Sequence, residues 1–78
     1  MANSFSKRIW YDGKDVVAVF VPELRKDGMY YEVNIKGFPR FFMSWSPLGR
    51  YDVISQKGLN LPYNLVLELS DVIEKSKQ

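Results

Sequence analysis

Two kinds of side chain recur in this sequence at a spacing that could do chemistry: flat aromatic rings and long cations. Arg8 and Trp10 flank Ile9, and Tyr30, Lys36, Arg40 and Phe42 stand at even positions while Met29, Tyr31, Val33, Ile35, Phe41, Met43 and Trp45 hold the odd ones, Trp45 being core in this register or exposed if a bulge near Pro47 shifts it. In extended chain, successive side chains point to opposite faces. Rings and cations then emerge together on one surface, with Arg8 and Trp10 joining them when Ile9 points inward. Exposed bases stack on aromatic faces while Lys and Arg meet phosphates, so such a surface suits single-stranded nucleic acid without a sequence code. The same residue types are ordinary strand formers, and an open sheet face can equally close against a partner protein.

Other chemistry is scarce. The chain has no histidine and no cysteine, which removes the commonest general base, the thiol nucleophile and the usual transition-metal ligands. Asp12 and Asp15 flank a turn, and Glu23 and Asp27 sit in a polar stretch. Each reads as solvated turn chemistry rather than a catalytic pair. No glycine-rich phosphate loop or nucleophile elbow is present. The reading is of a protein that is not an enzyme and takes no cofactor or metal.

At 78 residues the chain is one domain, 1–78, close to the lower limit at which a single core sustains a monomer. Its 46% apolar content argues against a disordered tail, and without cysteines no disulfide supplements the core. Association buries more surface, so a homodimer is expected. The net charge is only +2, but residues 36–58 hold Lys36, Arg40, Arg50 and Lys57 against Asp52 alone, which favours an acidic partner. No apolar leader follows Met1, and the longest apolar run, Val16 to Val21, is too short to span a bilayer. A soluble, cytoplasmic protein is the expectation, with no membrane partner.

The elements that must position these residues are strands first. Residues 4–11 and 14–21 are extended segments joined by Asp12-Gly13, a two-residue hairpin turn whose residue types tolerate positive φ. Val16 to Val21, β-branched and apolar on both faces, reads as a central strand ended by Pro22. After a polar loop closed by Asp27-Gly28, residues 29–36 alternate cleanly, and residues 40–46 alternate again before Pro47-Leu48-Gly49 breaks them. Residues 50–55 read as loop or edge, either a fifth strand or a continuation of the fourth.

One helix follows, over about 62–75. Leu61, Pro62, Leu65, Val66, Leu69, Val72 and Ile73 recur at three-and-four spacing and form its buried stripe. Pro62 suits the first turn, Asn60 or Leu61 the cap, and Lys75 and Lys77 the cation-favouring end, with Lys75 to Gln78 read as a frayed tail. Tyr63 and Leu67 lie off the stripe as a second apolar row, either a lone exposed leucine with its neighbour or a helix-to-helix dimer contact. The fold class is α+β: an antiparallel meander of four strands, or five, then one C-terminal amphipathic helix on one sheet face.

Trp45-Ser46-Pro47, then Lys57-Gly58-Leu59-Asn60-Leu61 and the helix, resemble the C-terminal part of the positive cofactor four family, small single-stranded-DNA-binding transcriptional coactivators with bacterial relatives. The resemblance covers roughly residues 45–73, and the order of four strands then a helix is similar too. It implies a homodimer that binds unpaired DNA along its sheet, in transcription or DNA maintenance. By position it implies Trp45 as a stacking residue, Lys57 as a phosphate contact and Gly58 as the turn former. Tyr11-Asp12-Gly13-Lys14 is only loosely similar to the family's basic hairpin turn; Lys14 there is a further candidate for nucleic-acid binding. The stretch between Pro47 and Lys57 is long for the family, and the first 40 residues do not align with it. The alternative function is a protein-interaction module using the open sheet face or the Tyr63/Leu67 row.

Overall fold

In the computed structural model, which describes residues 4–76, the chain forms β1 (Phe5–Tyr11), β2 (Lys14–Arg25), β3 (Gly28–Ile35), β4 (Phe41–Trp45), β5 (Tyr51–Val53) and α1 (Tyr63–Ser76). The strands make one antiparallel sheet in the order β1-β2-β3-β4-β5. The α+β meander with a C-terminal helix is therefore the fold, and residues 51–53 are a fifth strand.

Local chemistry explains the joints. Asp12 and Gly13 take φ of 54° and 75°, the doubly left-handed turn that matches the twist of a tight hairpin. Tyr11 thus pairs with Lys14, and the register runs to Phe5 opposite Phe20. Pro22 does not end β2, contrary to the sequence expectation; the strand runs on to Arg25 and pairs with β3 down to Arg25–Gly28. Beyond Phe20, β2 has β3 as its only neighbour among the described residues, and proline is tolerated on such an edge. The expected loop over 23–28 shrinks to a turn at Lys26-Asp27, with Gly28 opening β3.

Alternation then sorts the sheet into a helix-covered face and an open one. Ile9, Ala18, Phe20, Tyr31, Val33, Ile35, Phe41, Met43 and Tyr51 point to the covered face and are buried. From α1, Leu65, Val66, Leu69 and Ile73 meet them, with Val72 partly buried at the margin. Each fully buried large side chain stabilises the fold by roughly 1.5–3 kcal/mol relative to exposure.

The helix lies closest to β5 and next to β1. Ser70, itself buried, accepts the Tyr51 backbone N–H on Oγ at 2.9 Å, so helix and last strand are pinned by a polar contact within an apolar layer. Pro62, rather than Asn60 or Leu61, opens the helix: its carbonyl accepts the N–H groups of Leu65 and Val66 at 3.1 and 3.2 Å. Lys75 and Ser76 are helical rather than frayed, and Lys75 pairs with Asp71 at 2.9 Å one turn back. Lys77 and Gln78 lie outside the described residues, as do Met1 to Asn3.

Candidate nucleic-acid interface

The register arranges the open face in cross-strand rows. Arg8 lies opposite Val17, and one step beyond the Ala18–Ile35 pair Val17 meets Lys36, so Arg8, Val17 and Lys36 stand in line across three strands. Neighbouring strands are about 4.8 Å apart, which puts the two cations roughly 10 Å from each other. Trp10 is opposite Asp15 in the row nearer the β1–β2 turn. Ser6, Val19 and Asn34 form the next row, which leads to Arg40 just ahead of β4.

In this antiparallel sheet the β1–β2 turn, residues 36–40 between β3 and β4, and residues 54–60 after β5 all fall at one end. Gln56 fastens the last two together by donating from Nε2 to the Arg40 carbonyl at 3.1 Å. Lys57, next in the chain after Gln56, lies at the same end as Arg40, in a turn where Gly58 takes a φ of 83°. The structure thus gathers Arg8, Trp10, Lys14, Lys36, Arg40 and Lys57 at the hairpin end of the molecule. All six are exposed. A shallow depression of about 460 Å³ lies among them, lined by Lys14, Asp15, Val16, Val17 and Lys36. Phe42 points to the same face, next to Glu32 and Ile54.

Toward the opposite end the same face changes character. Arg25 lies over the rings of Tyr30 and Phe42, 4.2 and 4.9 Å from their centroids, and Arg40 approaches Phe42 at 5.8 Å. These cations have carboxylates at hand: Arg25 Nε donates to Glu23 at 2.6 Å, and Arg40 lies 3.9 Å from Glu32. The Glu23 bond raises the Arg25 pKa above its ordinary value. Tyr30 donates its hydroxyl to Asp27 at 2.6 Å, and that bond to a carboxylate holds its pKa above the ordinary 10.0. Rings and cations interleave here as well, with their charge locally answered.

Trp45 falls elsewhere. Its register with Tyr51 assigns it to the covered face, yet it is 56% exposed because it closes β4 beyond the reach of the core, edge-on to Tyr51 at 5.2 Å. It stands at the end of the sheet away from the lysines. Tyr63 and Leu67 are both exposed, and the Arg50 guanidinium lies 5.2 Å over the Tyr63 ring, so the row carries a charge as well as apolar surface.

Two features escaped the sequence reading. Arg25 belongs to β2, in the stretch expected to be loop, and Val21, Glu23 and Arg25 continue the strand's alternation. Val17 and Val19, expected in a strand buried on both faces, are 52% and 37% exposed, because the helix covers only one face. Among the described residues no cluster of three or more potential metal-ligating side chains occurs, and no helix is long and apolar enough to cross a membrane. Compared with known proteins, the chain matches no family model, no curated protein and no solved structure.

Proposed function

We propose that this chain binds single-stranded nucleic acid, non-enzymatically, on the hairpin end of its open sheet face. The observation that carries the reading is the row Arg8–Val17–Lys36 with Trp10 beside it and Lys14, Arg40 and Lys57 at the same end. Trp10 offers a stacking face, Phe42 a second ring further along, and the exposed valines an apolar floor. The cations neutralise phosphates, which positions the strand without reading its bases. DNA is preferred to RNA on the strength of the positive cofactor four resemblance alone, which also suggests a role in transcription or DNA maintenance inside the cell.

The test is an anisotropy titration with labelled single-stranded and duplex oligonucleotides at two salt concentrations. Tighter binding to the single strand, weakening steeply with salt, is the expected result, because released counterions drive phosphate contacts. Arg40→Glu with Lys57→Glu abolishes that binding while leaving the circular dichroism unchanged. Absence of binding even at low salt overturns the proposal.

A second reading has its own observation. Trp10, Val17 and Val19 expose contiguous apolar surface on two adjacent strands, as a protein-docking face would. The same double charge reversal separates the two, since a chiefly apolar interface is weakened only mildly by it.

A further inference from the structure

The sheet has two edges, and they are built differently. β5 is three residues long and is held under the helix by the Tyr51–Ser70 bond. β1 is seven residues long, and no described strand pairs with its outer side. A long open edge is a template for another strand unless something blunts it. The ordinary blunting device is charge, and β1 carries Lys7 and Arg8.

We propose that β1 pairs antiparallel with β1 of a second copy of this chain, about a two-fold axis passing through Ile9. The choice of occupant follows from self-complementarity. In an antiparallel pair, residues on the same face oppose one another, so only a few registers are open to a strand meeting itself. Centring on Lys7 or on Arg8 sets like charges directly across the axis, which is unfavourable. Centring on Trp10 leaves only Ile9, Trp10 and Tyr11 paired between the strands. Centring on Ile9 pairs every residue from Lys7 to Tyr11. It sets Arg8 opposite the partner's Trp10 on the open face, Lys7 opposite the partner's Tyr11 on the other, and Ile9 against itself. The two charges that would guard the edge then each lie across from a ring, the arrangement of a cation–π pair.

The surroundings of β1 fit an incoming strand. A groove of about 420 Å³ runs between this edge and α1, with Lys7, Arg8 and Trp10 on the strand side and Glu68, Asp71 and Val72 on the helix side. Lys75, on the same wall, already pairs with Asp71 at 2.9 Å, so Glu68 is the carboxylate there that has no such pair among the described residues and can meet the Lys7 of a strand added along β1. Addition of an extended strand to an exposed sheet edge is a recurring mode of recognition, in which main-chain hydrogen bonds supply the affinity. The result is one continuous ten-stranded sheet with both helices on the same side, a closed isologous dimer that leaves no β1 edge free.

Disulfide trapping decides the register, and the chain offers a clean background because it contains no cysteine. Arg8→Cys and Trp10→Cys change exposed positions and are made separately, then mixed under mild oxidation with no nucleic acid present. Cβ atoms directly opposite in such a pair lie about 4.5–5.5 Å apart, within disulfide reach after small adjustment. The expected result is a mixed Arg8→Cys/Trp10→Cys disulfide in several-fold excess over the product of either variant alone, with unmodified protein sedimenting as a dimer at high micromolar concentration. A monomer at that concentration overturns the proposal, and so does self-linking of Arg8→Cys as efficient as linking in the mixture. Neither outcome touches the nucleic-acid reading, which is measured separately and does not require the dimer.

Discussion

Within β2, neighbouring residues of nearly the same chemistry have opposite fates: Ala18 and Phe20 are fully buried, while Val17 and Val19 keep 52% and 37% of their surface in water. The sheet is thus two surfaces with separate duties. On the covered face, Phe20, Phe41, Met43, Leu65 and Leu69 are wholly excluded from solvent and hold the fold. On the open face, apolar and aromatic side chains that the core does not need stand among cations. A small chain with one helix can cover only one side of its sheet, so whatever is apolar on the other side is surface available to a partner.

The contrast breaks most readily at Phe20. Phe20→Ala should destabilise the protein by about 3–5 kcal/mol, since it removes a fully buried ring and leaves a cavity. Val19→Ala, one residue away, should stay within about 0.5 kcal/mol, as an exposed substitution does. Urea denaturation of both variants measures the difference; equal losses would mean that the open face is covered in solution.

Trp10→Ala inverts that pattern. At 67% exposure the ring contributes little to the core, so at concentrations low enough to keep the chain monomeric the variant should unfold at the same denaturant concentration as the parent. Its affinity for a single-stranded oligonucleotide should fall by about 1–3 kcal/mol for the base that no longer stacks. Unchanged affinity would place the binding track elsewhere on the face.

Ser70 sharpens the comparison from the covered side. Ser70→Ala removes the hydroxyl that accepts the Tyr51 N–H in a buried layer and should cost about 0.5–1.5 kcal/mol of stability, the net worth of one hydrogen bond. Oligonucleotide binding should be untouched, because this contact lies on the other side of the sheet from Arg8 and Lys36. A parallel loss of binding in the folded variant would show that the two faces are coupled.

What the sequence disclosed follows the same division. Alternation along residues 29–36 and 40–46, the Asp12-Gly13 turn and the three-and-four stripe of the helix each carry one strong local signal, and all are realised. Two misreadings came from trusting a local rule over its neighbours. Pro22 breaks a central strand but not one that has passed the end of β1, and a run apolar on both faces is buried on both only if something covers both. Neither fact is local to the residues concerned. The site was half legible for a related reason. Alternation alone assigned Arg8, Trp10, Lys36, Arg40 and Phe42 to one face. That Lys57 joins them depends on Gln56 reaching the Arg40 carbonyl across sixteen positions of chain, which no periodicity announces. Trp45 reads as core by register and is exposed because β4 ends there.

The open face itself divides into a hairpin end rich in cations and a far end where Arg25 and Tyr30 are bonded to Glu23 and Asp27, and that smaller difference can be read by titration. The Tyr30 phenol donates to a carboxylate, an interaction that exists only while the phenol keeps its proton, so its pKa in the folded state lies above the ordinary 10.0. A folded-state value above the unfolded one means that the contribution to stability is whole below pH 10.0 and fades as the pH climbs through the raised value. The far end should therefore loosen only in strong alkali, leaving oligonucleotide binding at neutral pH unaffected. Subtracting the phenolate absorbance titration of Tyr30→Phe from that of the parent isolates this group. Asp27→Asn should move the isolated titration to lower pH, because the amide oxygen accepts the same bond without the carboxylate's charge. A titration that stays in place would mean that the hydroxyl and the carboxylate do not meet in solution, and the charge at the far end would then be less fully answered than that at Arg25 implies.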